Sequence, residues 1–285
     1  MKQAFIFLGT ALLCALSSCT REEMSLRSET GEICFRADGF TAEVETKAAA
    51  EVTALSTFGV VCTTGAAGSE TNSWSIESVT QDGASYKTGK FWPSANPSYH
   101  FYASNKALTF AASGTTAAVE DLNTDVVCAY LPSPTYKSSN ELTFNHIFAR
   151  IGSCNISAPE GYSVSGLSVK ITPKIPDTGN GYNIRTGEWS KTKNGSPTTL
   201  CTTTGSTANK NIWLVPGTYT LTAVYTLSKG DFSKKYTKTA SVNIVAGKIN
   251  NISAALPDAG GDIAEIVFTV TVTAWDSNAI TATFN

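Results

Sequence analysis

The sequence predicts an all-β chain built as two tandem β-sandwich domains, and three observations carry that prediction. Short segments rich in Val, Ile, Thr and aromatic residues recur at close intervals, each stopped by Gly, Pro, Asn or Asp. Several of them alternate apolar and polar residues at period 2, which turns one face to a core and the other to water. Charged residues make up only 15% of the 285, below the roughly 25% of average soluble proteins, a balance suited to a β-rich surface protein. The length allows one or two domains and is ample for a sizeable core.

Residues 1–18 read as an export signal: Lys2 supplies the positive start, 4–16 the apolar run, and Leu16-Ser17-Ser18-Cys19 a small-residue close. A cysteine there is the bacterial lipobox arrangement, so Cys19 is expected to be lipidated and to become the mature N-terminus. Two or more acyl chains would hold it stably in a membrane. No segment after the signal approaches the ~20 apolar residues of a membrane span. Without residues 1–18, which carry one Lys and no acid, 20 basic residues face 23 acidic ones, a net of −3. No basic run or Lys/Arg stripe favours nucleic acid.

Residues 19–47 form a polar, charged tether followed by a short alternating strand at 33–40, with Ile33, Phe35 and Ala37 on one face. Thr46-Lys47-Ala48-Ala49-Ala50 is small and polar enough to lie open to a protease. A first sandwich is expected over 48–157. Its strands include 58–63, 74–79, 91–92 and 98–103, each ended by turn residues such as Thr64-Gly65 or Gln81-Asp82-Gly83.

The stretch 124–151 is the strongest core signal. Asp125-Val126-Val127-Cys128-Ala129-Tyr130 reads as a buried strand stopped by Pro132 and Pro134, with Asp125 as a turn or edge residue. Leu142, Phe144, His146 and Phe148 then share a face at period 2. A helix competes, because Phe144, Ile147, Phe148 and Ile151 fit i, i+3, i+4, i+7, with Ser138 and Glu141 as a capping box. Alternation continuing past Gly152 through Cys154 and Ile156 favours a strand. His146, on an apolar face with no acid or thiol at a useful spacing, reads as a hydrogen-bonded core histidine.

Ala158-Pro159-Glu160-Gly161 marks the break before a second sandwich over 158–285. Residues 164–171 form a strand stopped by Pro173. Residues 176–211 read as surface hairpins carrying Trp189, and 212–215 as a further strand. In 218–227 Tyr219, Leu221, Ala223, Tyr225 and Leu227 share a face, and 236–245 returns it as a hairpin. Residues 250–261 are expected to be a connector before the end strands at 263–275 and 279–285. The last strand places Ile280, Ala282 and Phe284 on one side. An alternating, nearly uncharged final strand is a pairing hazard, because its free N–H and C=O groups template another chain.

Catalytic patterns are missing. Neither His100 nor His146 belongs to a metal or triad motif, and no G-x-S-x-G, P-loop or dinucleotide fingerprint occurs, so no cofactor is expected. Acids such as Glu120, Asp121 and Asp125 could form a glycosidase pair only by a separation invisible in sequence. Trp74, Trp92, Trp189 and Trp213 suit a core better than a sugar-stacking platform. Cys34, Cys62, Cys128, Cys154 and Cys201 show no C-x-x-C or zinc spacing. The exported compartment permits a disulfide among them, without indicating which.

Five pieces in order resemble the fimbrillin family, the type V pilins of Gram-negative anaerobes. They are Thr46-Lys47-Ala48 before Val52-Thr53-Ala54-Leu55; Phe91-Trp92-Pro93 leading to His100-Phe101-Tyr102-Ala103; Asp125, Val126, Val127 and Ala129; Leu142, Phe144, His146, Ala149, Arg150 and Ile151; and Val270-Thr271-Val272-Thr273-Ala274-Trp275. The resemblance implies two transthyretin-like β-sandwich domains, an outer-membrane lipoprotein on the cell surface, and no enzyme activity. It further implies removal of the first strand by a surface trypsin-like protease, here between Lys47 and Ala48. The groove so opened would accept the C-terminal strand of another pilin subunit, with Ile280, Ala282 and Phe284 as plugs. Better-known members carry Arg where this chain has Lys47; an uncut chain would keep its lipid and serve as a membrane-held anchor. The competing expectation is a monomeric lipid-anchored module binding a glycan or host ligand on exposed aromatics and the 176–211 loops.

Overall fold

A computed structural model describes residues 31–38, 52, 55–83, 85–119, 121–122, 124–179, 181–206, 210–258 and 266–274. Among the described residues the chain is all-β, with no helix. The first ten strands are β1 (Glu32–Asp38), β2 (Thr57–Thr64), β3 (Thr71–Asp82), β4 (Ser85–Phe91), β5 (Tyr99–Ser104), β6 (Leu108–Ala111), β7 (Gly114–Ala118), β8 (Val127–Leu131), β9 (Asn140–Thr143) and β10 (Asn145–His146). The next six are β11 (Ala149–Ser157), β12 (Ser163–Ile171), β13 (Lys174–Pro176), β14 (Gly181–Asn183), β15 (Thr192–Asn194) and β16 (Thr198–Cys201). The last five are β17 (Ile212–Leu214), β18 (Gly217–Lys229), β19 (Phe232–Ile244), β20 (Lys248–Ala255) and β21 (Phe268–Ala274).

The first half is built on an eight-stranded sheet in the order β10-β8-β5-β2-β3-β4-β1-β9, while β6 and β7 form a separate sheet that β14 joins. The edges of the eight-stranded sheet, β9 and β10, are consecutive in the chain with only Phe144 between them, so the sheet must fold over on itself. The fold falls at β3 and β4, which share only the pairs Gln81↔Tyr86 and Asp82↔Ser85 beside their turn. Inside lies a core containing Ile33, Phe35, Phe58, Val60, Phe101, Val127 and Leu142. β9 alternates buried and exposed positions, whereas β2 and β5 are buried along nearly their whole length.

The second half is two four-stranded sheets, β17-β11-β20-β21 and β16-β12-β18-β19. They face each other across a core of Ile151, Ile156, Val169, Leu200, Leu214, Leu221 and Tyr225 among others. The hairpin expected from the alternation at 218–227 is β18 with β19, paired without interruption from Gly217↔Ile244 to Lys229↔Phe232.

Residues 140–157 hold β9, β10 and β11, with Phe144, Ile147 and Phe148 between them, and the three cores explain why a helical pattern also fitted the stretch. Leu142 and Phe144 enter the first core, Ile147 and Phe148 a middle cluster, and Ala149, Ile151, Cys154 and Ile156 the second core. The face predicted to run from Leu142 to Phe148 therefore holds only to His146, and Ile147 is buried beside Phe148. Ala149–Ser157 packs in the second core although it precedes the Pro-Gly break at 158–161. A further register shift falls between Ile151 and Cys154. At Gly152 a Cβ would lie 2.5 Å from both Asn251 Oδ1 and Ile249 Cγ2, so only glycine lets β20 approach there.

Two other expectations are corrected. Residues 250–261 are not simply a connector: Lys248–Ala255 is β20, set between β11 and β21. Its asparagines hid it, since Asn is depleted in strands, yet Asn250 is fully buried and its side chain is satisfied by backbone. The stretch 176–211 is not all surface hairpin. Gly181–Asn183 crosses back to pair with β7 of the first half, and Ile184 and Trp189 join the middle cluster with Tyr102, Phe148 and Trp213.

Candidate functional site: the slot that holds the first strand

β1 sits between two neighbours, antiparallel to β4 and parallel to β9. Phe35 lies opposite Tyr86 on one side and Asn140 on the other; Ala37 lies opposite Leu142. Ile33 and Phe35 are fully buried, and the Phe35 ring meets Phe101 edge-on at 4.9 Å. Polar contacts seal the entrance. Trp92 N donates to Gly31 O at 2.8 Å, Thr88 Oγ1 to Ile33 O at 2.7 Å, and Gly89 N to Glu32 Oε1 at 2.8 Å. Burial of Ile33 and Phe35 contributes about 1.5–3 kcal/mol each. An emptied slot would expose that surface and two rows of ladder groups.

The β9 wall is held by one side chain. Asn140 Oδ1 accepts from Thr135 N at 2.6 Å, and its Nδ2 donates to Thr135 O at 3.1 Å and Ser138 O at 3.0 Å. Beside it, Tyr136 donates its hydroxyl to Pro93 O and packs edge-on against Trp92. This clamp fixes the loop 135–139 and the start of the strand that β1 lies against.

Beyond the slot, a buried ion-pair geometry joins three segments. Asp125 Oδ2 lies 2.6 Å from His146 Nδ1 and accepts from Val52 N at 3.0 Å. His146 is thus the hydrogen-bonded core histidine expected, but its partner is an acid 21 residues away. Asp125 is not an edge residue; it is 1% exposed. Both groups are closed to solvent, so the pair suits anchoring the segment after Lys47 rather than meeting a substrate.

A second polar network lies on the opposite side of β5. Glu70 accepts from Tyr102 Oη at 2.7 Å, Thr63 Oγ1 at 3.2 Å and Gly68 N at 3.3 Å. Burial pulls its carboxyl up, but these hydrogen bonds and the His100 charge outweigh it and hold it below the usual range. His100 Nε2 lies 2.9 Å from Gly65 O and Nδ1 3.1 Å from Tyr130 Oη. Burial and the bond to Glu70 push the Tyr102 phenol well up.

The remaining sequence candidates divide cleanly. Trp92 and Trp213 are buried, and Trp189 stacks on Phe148 at 5.5 Å, so these three do not form an open sugar platform. Trp74 packs against the first core. Among the described residues no group of three or more His, Cys, Asp or Glu could hold a metal. Cys19, Lys47, Ala48, Trp275, Ile280, Ala282 and Phe284 lie outside the described residues. The Asp125–His146 pair escaped the sequence reading because it is a contact made by the fold across 21 residues, and the Asn140 clamp because a single Asn carries no spacing signal for a local loop bond.

The fold and slot define a class: among the described residues, an all-β protein in which the first strand completes a sheet contributed otherwise by later residues. The fimbrillin-like family matches residues 44–275, and the chain belongs to it. The match begins after β1 and ends before 279–285. Similar solved structures include a protein assigned to cell adhesion from Parabacteroides distasonis, with 11% identity, TM-score 0.48, 86% of this chain and 97% of that one covered. Another assigned to adhesion, from Bacteroides eggerthii, shows 11% identity, TM-score 0.46 and coverage of 88% and 98%. A fimbrial assembly protein from Parabacteroides distasonis shows 12% identity, TM-score 0.36 and coverage of 85% and 98%. No curated protein sequence matches the chain.

Proposed function

We propose that the chain is a pilus subunit that assembles by strand exchange through the slot of β1. In this reading residues 1–18 direct export, Cys19 carries outer-membrane lipid, and a surface trypsin-like protease cuts between Lys47 and Ala48. β1 then leaves, and residues 279–285 of another subunit enter between β4 and β9. Ile280, Ala282 and Phe284 replace the apolar contacts of Ile33, Phe35 and Ala37. A head-to-tail contact of this kind does not close on itself and grows into a filament. The division into two sandwich domains falls, in this account, between the middle cluster and Ala149.

The observation that carries the reading is the seat of β1: two fully buried apolar side chains, hydrogen-bonded neighbours on both sides, and a link to the rest of the chain that contains Lys47. A peptide of residues 276–285, added to a chain that starts at Ala48, tests it. Saturable binding with a rise in melting temperature is expected, together with loss of both in a peptide carrying Ile280→Asp and Phe284→Asp. Equal binding by wild-type and substituted peptides would overturn the assignment of the plugs, and no binding would overturn the slot as the assembly site.

A further inference from the structure

We infer that Cys154 and Cys201 form a disulfide that staples the two sheets of the second half when the chain folds under oxidising conditions. The two sulfurs lie 3.6 Å apart as thiols in the second core. Cys154 belongs to β11 and Cys201 to β16, so the bond would cross the sandwich from one sheet to the other. The sulfur of Cys62 contacts Thr63 O and that of Cys128 contacts Ser104 Oγ rather than another thiol. Cys34 lies in β1, opposite Lys87.

The position gives the bond a structural use. β16 is a four-residue strand at the edge of its sheet, held through β12 alone. Short edge strands are the least protected part of a sandwich. A covalent link to β11 would fix β16 to a strand bonded on both sides, by β17 and β20. It also closes a loop of 47 residues, which restricts the unfolded chain.

The chemistry balances as thiol–disulfide exchange. One cysteine thiolate attacks an external disulfide such as glutathione disulfide, releasing one thiol and leaving a mixed disulfide. The second cysteine, losing its proton, then attacks the protein-side sulfur. The Cys154–Cys201 bond forms, the second external thiol leaves, and the two electrons reside on the reduced oxidant. Cys154 is fully buried and Cys201 2% exposed, so exchange precedes closure of the core. The inference stands on this contact and does not depend on strand exchange.

The test uses the chain from Thr20 on, which leaves out only the export signal and the lipidated cysteine. It is unfolded with reductant, refolded in mixed reduced and oxidised glutathione, alkylated in denaturant and digested with trypsin. The expected product joins peptide 151–170 to peptide 194–210, lighter by two hydrogens than the pair, with Cys34, Cys62 and Cys128 alkylated. The oxidised chain should melt roughly 5–10 °C above the reduced one. Cys154→Ala and Cys201→Ala should each abolish that difference, while Cys62→Ala keeps it. Alkylation of all five cysteines, a bond through Cys34, Cys62 or Cys128, or equal melting of the two forms would overturn the inference. If the alanine variants do not fold, the wild-type peptide map decides alone.

Discussion

The first strand of each half occupies the same kind of place in its sheet. β1 lies antiparallel to β4 and parallel to β9; β11 lies antiparallel to β17 and parallel to β20. In both halves the parallel neighbour carries a buried asparagine that clamps the loop before it. Asn250 accepts from Val245 N at 2.9 Å and donates to Val245 O and Lys248 O, as Asn140 does with Thr135 and Ser138. Phe35 lies opposite Asn140, and Ile151 opposite Asn250. The difference lies in connection. β11 continues directly into the chain on both sides, its clamp reaching Arg150 O at 3.3 Å and its bulge held by Asn251. β1 is separated from β2 by residues 39–56, which include Lys47. Under the proposed strand exchange, that link is what lets β1 be released, whereas β11 is continuous with the chain at both ends.

The largest expected effects come from emptying the two core positions. Phe35→Ala should destabilise the uncut chain by about 3–5 kcal/mol and Ile151→Ala by about 2–5 kcal/mol. In urea melts of a chain starting at Ala48 and complemented with the 276–285 peptide, the Ile151→Ala cost should persist. Phe35 is then absent, so its substitution has no counterpart. Equal dependence of polymer stability on both residues would break the comparison.

Breaking the buried pair comes next. Asp125→Ala leaves His146 and the Val52 amide without their shared acceptor and should cost about 3–5 kcal/mol in denaturant melts. Hydrogen exchange at Val52 should rise with it. The asparagine clamps follow: Asn140→Ala and Asn250→Ala should each cost about 1–3 kcal/mol. Asn250→Ala should have the larger effect, because its side chain also reaches β11.

The smallest effect is a pH dependence. The Glu70 carboxyl is held below its unfolded value, so the stability it contributes is present above that value, near 4.3, and is lost as pH falls through the lower folded value. Glu70→Gln should flatten the acid side of a stability-versus-pH curve. A curve identical to wild type would remove Glu70 from the account of the Tyr102–Tyr130 network.

Much of the fold was legible in local pattern. The β18–β19 hairpin and β12 follow alternation because each turns one face to the second core, whereas β2, β5 and β8 follow apolar runs because one face enters the first core and the other the middle cluster. The stretch 142–156 gave an ambiguous pattern for a physical reason: its apolar residues serve three cores in turn, so no single period fits. β20 was hidden because Asn250 and Asn251 are chosen for backbone hydrogen bonds rather than for strand propensity. β6 and β7 were missed as well: β7 is only Gly, Thr and Ala, and β6 is four residues long with just Leu108 and Phe110 as its apolar signal. The slot itself was foreshadowed by Ile33, Phe35 and Ala37, but its walls come from residues 85–91 and 140–143, which no local spacing connects to them.

The central claim is that β1 is the exchangeable strand, and limited trypsin digestion of the folded mature protein tests it most directly. The new N-terminus is read by mass spectrometry, and the products are run unheated and heated on a denaturing gel. The account expects a cut that leaves Ala48 as the new N-terminus, followed by heat-labile ladders that vanish when residues 279–285 are deleted. Resistance at Lys47, or a cut there that leaves the protein monomeric, would contradict it.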